Sequence, residues 1–485
     1  MSVVIVSNRV ARARPGEPIA GGLAAALLPA VKSAGAIWVG SSGRLGESTR
    51  AGAIELEALG SGALGSIDFP AAHYRGFYEG FANSVLWPAL HSRPDLIVAN
   101  ASDYMAYREI NLFLARSLRG AFHAGTCYWI HDYHYLPLAM EMRRMGVQAP
   151  IGFFLHTPMP PRSVLCSVPH HRELVRAMMA YDLIGFQTQR DLDNFASYLS
   201  EELGLSVVGD AVASTRRVTR LKVFPIGIDV SAFASRATKA VAGHDVMRLR
   251  QSLQGAKLVV GVDRVDYSKG LANRFKAVDN LLQSDPALKR QFSMLQIGVP
   301  SREGIETYHQ LQKELAALVG EINGRHGEVD WTPIRYLNKG FSQNTLAGFY
   351  RSAQVAMVTP LYDGMNLVAK EYVAAQNPFD PGVLVLSEFA GAAQQLDAAL
   401  IVNPHDIDGM SQALATALAM PLDERRERWE AMMAVLTQSP VQGWFNDFVD
   451  TLIENETAIV PEANLVTAPV PLIETRDIRL TAKVH

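Results

Sequence analysis

The 485-residue sequence has little cysteine. Its two cysteines, Cys127 and Cys166, lie in or near apolar segments and lack the spacing of metal ligands, so we expect buried thiols in preference to a disulfide. Long apolar runs are also missing, since none approaches the roughly 20 residues that span a bilayer. The chain enters an apolar strand without a basic region or a cleavage site. We therefore expect a cytoplasmic protein without a membrane partner.

No excess of charge of either sign marks the chain. Lys and Arg total 45 against 48 Asp and Glu, which gives a net charge of −3, so we expect no basic surface for nucleic acid. The histidines are scattered, and no HxH or HExxH motif indicates a bound metal. We therefore expect no bound metal and no nucleic-acid partner, while the sequence leaves a homo-oligomer open.

What the sequence does contain is an alternation of short β-branched runs with segments of helical periodicity. Several runs are apolar throughout, as strands buried on both faces of a parallel sheet are. The predicted strands are 3–7, 37–39, 96–99, 127–131, 151–156, 183–187 and 222–225, followed by 257–262, 294–298, 334–337, 355–359, 383–387 and 400–402. The predicted helices are 23–34, 104–118, 136–145 and 192–203, followed by 272–282, 305–323, 345–352 and 407–419. Two successive βα series predict an α/β protein with two doubly wound domains.

The boundary between the two series is predicted in segment 227–245. Its residues are small, polar and weakly periodic, as in a linker. We accordingly predict a first domain over residues 1–235 and a second over 236–440. A helix within 441–460 is expected to cross back to the first domain, and the Pro/Thr-rich residues 461–485 are expected to form a peripheral tail.

Segment 355–371, VAMVTPLYDGMNLVAKE, runs from an apolar strand through Asp-Gly directly into a helix. The free N–H groups of a helix N-terminus carry roughly half a positive charge, which suits them to a phosphate. Asp363 can accept hydrogen bonds from sugar hydroxyls, Gly364 admits a ligand close to the backbone, and Glu371 is within reach of a ribose. An ordinary strand-to-helix junction with Asp363 as the N-cap explains the same residues.

Further candidates follow the other predicted strands, because ligands of open α/β sheets bind beyond the carboxyl ends of the strands. In the first series, Arg9 follows the first strand, and Gly21 and Gly22 open the first long helix. Asp132 and His156 follow two later strands, with His156 in the proline-rich turn HTPMPP. A helix N-cap for Asp132 and a satisfied turn histidine for His156 are the structural alternatives.

Arg264 and Lys269 follow the first strand of the second series, in GVDRVDYSKG. Two cations on one loop at a strand end are suited to hold a diphosphate. The alternative is a surface network in which they pair with Asp263 and Asp266. It is improbable that all of these strand-end residues have only a structural role.

The motifs SNR, GGL, FYEGFANSVLWP, WIHDYH, GFFLH, GFQT, GVDRVDYSKG, PSRE and TPLYDGMNLVAKEYVAAQ follow one another in this chain. In this order they closely resemble the retaining glycosyltransferases that make trehalose 6-phosphate from UDP-glucose and glucose 6-phosphate. The similarity runs from residue 3 to about residue 421. It implies a GT-B fold of two Rossmann-like domains, with the acceptor bound by the first domain, the nucleotide sugar by the second and the active site in the cleft between them. It also implies an enzyme of trehalose biosynthesis that needs no metal or other cofactor.

The resemblance places most of the donor site in the second domain. Arg264 and Lys269 would hold the diphosphate, Asp363 the glucose hydroxyls and Glu371 the ribose, with the segment around Phe341 on the uracil. The full implied donor set is Gly21, Gly22, Arg264, Lys269, Phe341, Asp363, Gly364, Met365, Asn366, Leu367, Val368, Ala369, Lys370 and Glu371.

The acceptor site implied by the resemblance takes residues from both domains. Arg9, Tyr78 and Arg302 would bind the phosphate of glucose 6-phosphate. Asp132 would orient the acceptor sugar, and Trp87 would shape its pocket and the anomer selected. Packing in an aromatic core is the alternative for Tyr78 and Trp87. The implied catalytic residues are Asp132, His156, Arg264, Lys269 and Asp363.

Two mechanisms and three functions stay open at this stage. Transfer on one face of the sugar is favoured, with a double displacement through two carboxylates as the alternative. Glycerol 3-phosphate could replace glucose 6-phosphate as the acceptor, and a sugar-phosphate sensor without catalysis is the third function. The chain carries Ser41 and Tyr362 where the family often has Trp and Arg, so GDP-glucose or ADP-glucose remains an alternative donor.

Overall fold

The structure is a computed structural model that describes residues 2–10, 22–122, 125–214, 217–302 and 304–454. Gly21 and the predicted tail 461–485 lie outside the described residues. Cys127 and Cys166 are not joined by a disulfide, and Cys127 is buried while Cys166 is half-buried. None of the helices in these ranges is both long and apolar enough to cross a bilayer.

The strands form two separate sheets. The first sheet contains β1 (Ser2–Arg9), β2 (Ile37–Gly46), β3 (Glu55–Leu59), β4 (Gly62–Pro70), β5 (Thr126–His131), β6 (Ile151–Phe154), β7 (Leu183–Phe186), β8 (Val207–Val208), β9 (Ala211–Ala213) and β10 (Val218–Val223). The second contains β11 (Lys257–Arg264), β12 (Phe292–Val299), β13 (Ile334–Leu337), β14 (Val355–Val358), β15 (Val383–Ser387) and β16 (Leu400–Val402).

Helices follow most of the strands, as parallel pairing requires. They are α1 (Gly22–Ala34), α2 (Ala71–Arg75), α3 (Trp87–Leu90), α4 (Ala101–Ala121), α5 (Leu138–Arg144), α6 (Arg162–Leu165), α7 (His171–Met178), α8 (Gln189–Leu203), α9 (Val230–Ala240), α10 (His244–Ser252), α11 (Leu271–Ser284), α12 (Glu306–His326), α13 (Gln343–Ser352), α14 (Leu367–Ala375), α15 (Ile407–Ala419), α16 (Leu422–Gln438) and α17 (Val441–Glu454). A π-helical segment, Gly76–Leu86, joins α2 to α3.

Among the parallel strands of each sheet, the strand order reverses at one place. The first sheet has the order β3-β4-β2-β1-β5-β6-β7-β10-β9-β8, and the second has the order β13-β12-β11-β14-β15-β16. The second sheet is parallel throughout, whereas β3, β8 and β9 pair antiparallel at the two ends of the first. The order reverses between β1 and β5 and between β11 and β14. A doubly wound sheet binds ligands outside the carboxyl ends of its strands at such a point.

The last described helix, α17, packs against the first sheet. The rings of Trp129 in β5 and Phe448 in α17 stack with their centroids 4.4 Å apart, and Trp444 lies 4.7 Å from Trp129. The ring of Phe448 also leaves no room for a side chain at two positions of the sheet, because a Cβ on Gly152 or Gly185 would meet it. The helix therefore covers the sheet where these strands carry no side chain. The domain limits themselves stay predictions.

Two predictions about local structure are wrong. The strand predicted at 96–99 is absent, because Pro94–Leu96 forms a 3-10 turn and Val98 is 62% exposed. The linker predicted at 227–245 is largely helical, since it contains all of α9 and the first two residues of α10. Asp229 caps α9 by accepting from the Ala232 N–H, and Phe233 packs against Tyr350 of α13. A boundary at 235/236 would lie inside α9.

Candidate functional site

Side chains with the predicted chemistry follow the strands on either side of the two reversal points. Arg9 ends β1 and Asp132 follows β5 in the first sheet. Arg264 ends β11 and Asp363 follows β14 in the second sheet. Strand order alone therefore places these four side chains at the carboxyl edges of the sheets, where ligands of such sheets bind.

The turn before α14 brings the second domain into contact with the first. Gly364 has no room for a side chain, because a Cβ there would overlap the carbonyl oxygen of His156. Asn366 stands at the N-cap of α14 with φ +73°, in the left-handed region that asparagine tolerates. Its amide donates to Oδ2 of Asp363 at 3.0 Å. The N-terminus of α14 thus lies at the contact between the domains.

Lys269 and Asp363 form an ion pair at the donor side of this contact. The ammonium of Lys269 lies 2.6 Å from Oδ2 of Asp363, and both side chains are largely buried. Burial by itself raises the pKa of Asp363, but the charge and hydrogen bond of Lys269 outweigh it, so this pKa lies below its ordinary value. Asp363 is therefore an ionised acceptor of hydrogen bonds, and its closest cation is one of the two predicted to hold the diphosphate.

Arg264 and Arg302 both lie over the ring of Trp87. The guanidinium carbon of Arg302 is 3.8 Å from the ring centroid, and that of Arg264 is 5.3 Å from it. Such contacts are favourable because a cation is attracted to the face of the ring. Trp87 therefore sits beside a cation from the predicted donor set and one from the predicted acceptor set, and marks the place where the two sets meet.

Arg302 is held by groups from both domains. Its Nε donates to Oδ1 of Asn83 at 2.8 Å, and its Nη1 donates to Oδ2 of Asp266 at 2.7 Å. Further contacts reach the hydroxyls of Tyr133 at 3.4 Å and Tyr308 at 3.2 Å. Only 5% of the Arg302 side chain is exposed. Most of its hydrogen-bonding capacity is therefore used within the protein.

Asp266 is the buried counter-ion of this network. Burial by itself raises its pKa, but Arg302 and Arg264 outweigh burial, so the pKa of Asp266 lies below its ordinary value. The alternative, a surface network in which Arg264 and Lys269 pair with Asp263 and Asp266, is not what the structure shows, because Asp266 is buried and pairs with Arg302. Asp263 pairs instead with the buried Arg274 at 2.5 Å.

Arg9 is exposed, in contrast to Arg302, and lies against aromatic side chains. Burial opposes its charge, but a hydrogen bond with Tyr74 and the nearby Tyr78 outweigh it, so the pKa of Arg9 is raised. Tyr78 stacks between Tyr74, 5.6 Å away, and His134, 6.0 Å away. Arg9 therefore offers a charge that no carboxylate neutralises among its described neighbours.

Asp132 and His156 lie together on the first-domain wall. Asp132 has φ +74°, an unusual value for a residue other than glycine, and its Oδ1 accepts the His156 N–H at 3.3 Å. Burial raises the pKa of Asp132 to about 6, although backbone N–H groups hold it down in part. Burial lowers the pKa of His156 to about 3, so its imidazole is neutral at neutral pH.

The remaining donor candidates lie along α14 and near α13. Burial raises the pKa of the Glu371 carboxyl to about 7, with the charge of Arg236 acting in the other direction. Phe341 packs edge-on against Phe349, with the ammonium of Lys339 4.9 Å from its ring centroid. Glu371 lies in α14 and Phe341 just before α13, so both candidates lie in the second domain.

The side chain of Lys370 does not point to the donor site. Its ammonium donates to the carbonyl of Ile226 and to Oε1 of Gln395, each at 2.6 Å. Ala369 is fully buried in the core, and Met365 is 4% exposed. Any donor contact of Lys370 or Ala369 can therefore come only from the peptide groups. Leu367 and Val368 are half-buried at the start of α14, and Gly22 begins α1.

The two positions that depart from the resemblance have different surroundings. The ring of Tyr362 lies 5.5 Å from the guanidinium of Arg190 in the first domain and stacks on Phe389 at 6.1 Å. Ser41 is buried beside Arg9 in the strand register, and its hydroxyl accepts the Gly43 N–H. The aromatic ring at 362 is therefore used in a contact between the domains.

Several residues of the site were not found from the sequence. Asp266 lies within GVDRVDYSKG, but its partner Arg302 is 36 positions away. Asn83 and Tyr133 lie in quoted motifs as well, without any signal that both reach Arg302. Within the described ranges, no group of three or more His, Cys, Asp or Glu side chains is arranged to hold a metal ion.

Known proteins resemble this chain over most of its length. A trehalose-6-phosphate synthase of Sinorhizobium fredii is 44% identical over 454 residues, which cover 93% of this chain and 98% of that protein. An alpha,alpha-trehalose-phosphate synthase (UDP-forming) from Burkholderia xenovorans, solved in complex with glucose-6-phosphate, has a TM-score of 0.89 at 43% identity and covers 93% of this chain and 100% of that one. An E. coli structure bound with UDP-2-fluoro glucose has a TM-score of 0.88 at 38% identity, over 95% of this chain and 100% of that one.

These likenesses confirm the predicted α/β fold of GT-B type with two Rossmann-like domains. The profile of Glycosyltransferase family 20 matches residues 9–454. That match includes the second sheet, the first sheet except residues 2–8 of β1, and every strand-end residue discussed above. The resemblance inferred from the motifs is confirmed, and the chain belongs to glycosyltransferase family 20.

Proposed function

We propose that this chain transfers the glucosyl group of UDP-glucose to glucose 6-phosphate and forms α,α-trehalose 6-phosphate and UDP. The observation that carries the proposal is the meeting of Lys269, Asp363 and the N-terminus of α14 with the first-domain wall of Asp132 and His156. One wall supplies cations and free N–H groups for a diphosphate. The other supplies a carboxylate and an imidazole for a sugar.

At the donor end, charge develops on the diphosphate as its bond to glucose breaks. Arg264, Lys269 and the α14 N-terminus would stabilise that charge more strongly in the transition state than in the ground state. Asp363, ionised and held by Lys269, would accept hydroxyl hydrogens of the donor glucose. Glu371 would bind the ribose and Phe341 would lie near the uracil.

At the acceptor end, Arg9 and Arg302 would bind the phosphate of glucose 6-phosphate together with Tyr78. Arg9 is exposed and has no carboxylate partner among the described residues, whereas Arg302 lies over Trp87 where the two sets meet. Asp132 would orient the acceptor sugar. A sugar phosphate fits this end because it offers both an anion and hydroxyl groups.

The transfer we propose proceeds on one face of the glucose. The bond from its anomeric carbon to the β-phosphate oxygen breaks, and a bond from the same carbon to an acceptor hydroxyl oxygen forms. The hydroxyl proton passes to the leaving phosphate oxygen, so no protein base is required and the configuration is retained. Lys269 and Asn366 both donate to Oδ2 of Asp363, and we assign the carboxylate to the glucose hydroxyls and not to attack on the anomeric carbon.

The test is UDP release from UDP-glucose with either glucose 6-phosphate or glycerol 3-phosphate, repeated with GDP-glucose and ADP-glucose. Rapid UDP release with glucose 6-phosphate alone supports the proposal. Release with glycerol 3-phosphate alone would instead assign a glucosylglycerol-phosphate synthase. No release with any pair would leave a non-catalytic sugar-phosphate sensor. A glycosyl adduct on Asp363 or Asp132, trapped and detected by mass spectrometry, would replace the one-face mechanism with a double displacement.

The other parts of the proposal concern partners and location. The substrates are the two small molecules, without a metal or a further cofactor and without nucleic acid or membrane. We keep the cytoplasmic location as a prediction, and a homo-oligomer stays open.

A further inference from the structure

In the described part of the chain, the backbone passes between the two sheets twice, and the two crossing segments touch each other. Residues 226–229 lead from β10 to α9, and residues 439–441 lead from α16 to α17. Gly227 has no room for a side chain, because a Cβ there would overlap the carbonyl oxygen of Ser439. The Val441 N–H also donates to the Ile228 carbonyl at 3.3 Å. Both of these connections between the domains therefore pass through one place.

The peptide groups of Ile226, at the start of the first crossing segment, are held from both domains. The Ile226 N–H donates to Oε1 of Gln187, just after β7 of the first sheet, at 3.0 Å. The Ile226 carbonyl accepts from the ammonium of Lys370 in α14, at 2.6 Å. Ile226 is therefore hydrogen-bonded to the first domain through its N–H and to α14 of the second domain through its carbonyl.

Lys370 is fully buried, and it forms no ion pair with a carboxylate in the part of the chain that the structure describes. Its other hydrogen bond goes to Oε1 of Gln395, also at 2.6 Å. Burial lowers the pKa of Lys370 to about 7, and the amine can donate to the Ile226 carbonyl whether it is charged or neutral. A buried amine without a counter-ion costs free energy of folding, which favours a role other than stability.

Lys370 lies in the first turn of α14, at the end of the helix that faces the proposed diphosphate site. The helix begins at Leu367, so Lys370 is its fourth residue and moves with its N-terminal N–H groups. Gly364, just before the helix, lies against the carbonyl oxygen of His156 in the first domain. The start of α14 is therefore held against the first domain on both sides, at Gly364 and at Lys370.

We propose that Lys370 is a positioning residue for glucosyl transfer, which holds the diphosphate end of α14 in place against the first domain through the carbonyl of Ile226. The inference rests on the proposed function, in which the second domain binds most of the UDP and the wall of Asp132 and His156 meets the glucose. Transfer needs both walls on one glucose, whereas UDP binding depends mainly on one domain. Loss of Lys370 should therefore slow transfer and change UDP affinity little.

The test compares Lys370→Met with Gln395→Met in the full chain. Lys370→Met removes the hydrogen bond to Ile226 with a side chain of similar length. Gln395→Met removes the other partner of the same ammonium, within the second domain, and keeps the hydrogen bond to Ile226. Lys239→Met, at an exposed position of α9, is the surface control. Urea unfolding establishes that each variant is folded before its kinetics are compared.

The first readout separates binding from turnover. In Lys370→Met, kcat should fall roughly 10- to 100-fold, as expected when the reacting groups are slightly misplaced by a change away from the chemistry. The Kd for UDP, measured by calorimetry without an acceptor, should stay within about threefold of the parent value. Gln395→Met and Lys239→Met should keep kcat within about threefold.

The second readout does not depend on activity. Hydrogen exchange measured by mass spectrometry on a peptide that contains Ile226 should be roughly fivefold faster in Lys370→Met, as expected for the loss of one hydrogen bond. The same peptide should exchange at the parent rate in Gln395→Met. If Lys370→Met does not fold, Lys370→Gln replaces it, because its side chain is one atom shorter and ends in a neutral amide.

Unchanged kcat in a folded Lys370→Met protein would overturn the positioning role, as would an equal loss of kcat in Gln395→Met. A rise in the Kd for UDP that matches the fall in kcat would instead make Lys370 part of the donor site itself. If the parent protein releases no UDP, the proposed function fails. The exchange rates still decide in that case whether Lys370 holds the first crossing segment, and equal rates in the parent and Lys370→Met would show that it does not.

Discussion

The two ends of the cleft hold their cations in different ways. At the acceptor end, Arg302 is bound by Asn83 and Tyr133 of the first sheet's domain and by Asp266 and Tyr308 of the second. At the donor end, Lys269 is paired within its own domain by Asp363. The acceptor cation therefore joins the domains, whereas the donor cation belongs to one of them.

Because of this difference, a cation that joins the domains has a structural role as well as a binding role, whereas an exposed cation has a binding role alone. The donor ion pair lies within the second domain, and contacts across the interface surround it, among them Gly364 against His156 and Lys370 with Ile226. The acceptor end needs both domains for Arg302 to be in place, whereas Arg9 is exposed and pairs with no carboxylate in the part of the chain that the structure describes. Loss of Arg302 should therefore affect stability and binding together, while loss of Arg9 should affect binding alone.

The largest effect is expected at the donor end. Lys269→Met removes a cation from the diphosphate, so kcat should fall roughly 10²–10³-fold. It also leaves Asp363 buried and unpaired, which should lower the free energy of unfolding by about 3–5 kcal/mol. Kinetics and urea unfolding of the same variant measure both effects. The control is Lys276→Met, at an exposed position of α11.

Lys269→Met combined with Asp363→Asn separates the two consequences. No buried charge then remains unpaired, so much of the stability should return while activity stays low. Recovery of kcat in the double variant would contradict a direct role of Lys269 at the diphosphate.

The next effect compares the two acceptor arginines. Arg302→Ala should raise the KM for glucose 6-phosphate roughly 10- to 150-fold, because a charge-assisted hydrogen bond to a phosphate is worth about 1.5–3 kcal/mol. It should also destabilise the fold by leaving Asp266 unpaired. Arg9→Ala should raise the same KM with little change in Tm, since Arg9 is exposed.

Arg290→Ala serves as the control for both, because Arg290 forms exposed ion pairs with Glu328 and Asp330. An unchanged KM in Arg302→Ala would remove Arg302 from the acceptor site. Equal loss of Tm in Arg9→Ala and Arg302→Ala would erase the contrast between the two residues.

The link at Lys370 predicts a pH-dependent stability. Burial lowers the pKa of Lys370 to about 7 in the folded protein, against about 10.4 in an unfolded chain. Between these values the unfolded chain binds a proton that the folded chain does not, so this residue makes the protein more stable as pH rises. In Lys370→Met this contribution is lost, and the stability difference between the parent and the variant should change by at most about 1.4 kcal/mol per pH unit.

Urea unfolding at pH 7, 8 and 9 measures this difference, with the parent gaining on Lys370→Met as pH rises. Lys239→Met, at an exposed position of α9, should show no such trend. A difference between the parent and Lys370→Met that is independent of pH would contradict the shifted pKa.

The smallest effect is expected where Tyr362 replaces the arginine of the resemblance. Tyr362→Leu removes the ring under Arg190, a contact worth about 0.5–1 kcal/mol at a half-exposed site. The KM for UDP-glucose should rise less than about fivefold. Arg190→Ala in the Tyr362→Leu background should add nothing further, and additive effects of the two changes would mean that they act separately.

Much of the fold was predictable because its strands are buried runs with turns at their ends. Each strand of the second sheet was predicted within a few residues, and the residues after β5, β11 and β14 were identified as candidates from their position alone. The failures have local causes. Segment 96–99 is apolar but half-exposed beside Pro94, and 227–245 is polar in composition although Phe233 and Ala237 share one buried helix face.

The pairing of charges was not predictable from the sequence. Lys269 and Asp363 are 94 positions apart, and Asn83 and Arg302 are 219 apart, so no local spacing connects them. The alternative drawn from sequence neighbours paired Asp263 and Asp266 with Arg264 and Lys269. The structure pairs both with arginines brought in by helix α11 and by the loop after β12.

The most direct measurement of the central claim is ¹³C NMR of the reaction of UDP-glucose labelled at its anomeric carbon with glucose 6-phosphate. If the two walls of the cleft meet on one glucose and transfer it on one face, the label should appear in an α,α-linked disaccharide phosphate as UDP accumulates. Label in a β-linked product would contradict retention. Label that appears in free glucose, or that stays in UDP-glucose, would contradict transfer to the sugar phosphate.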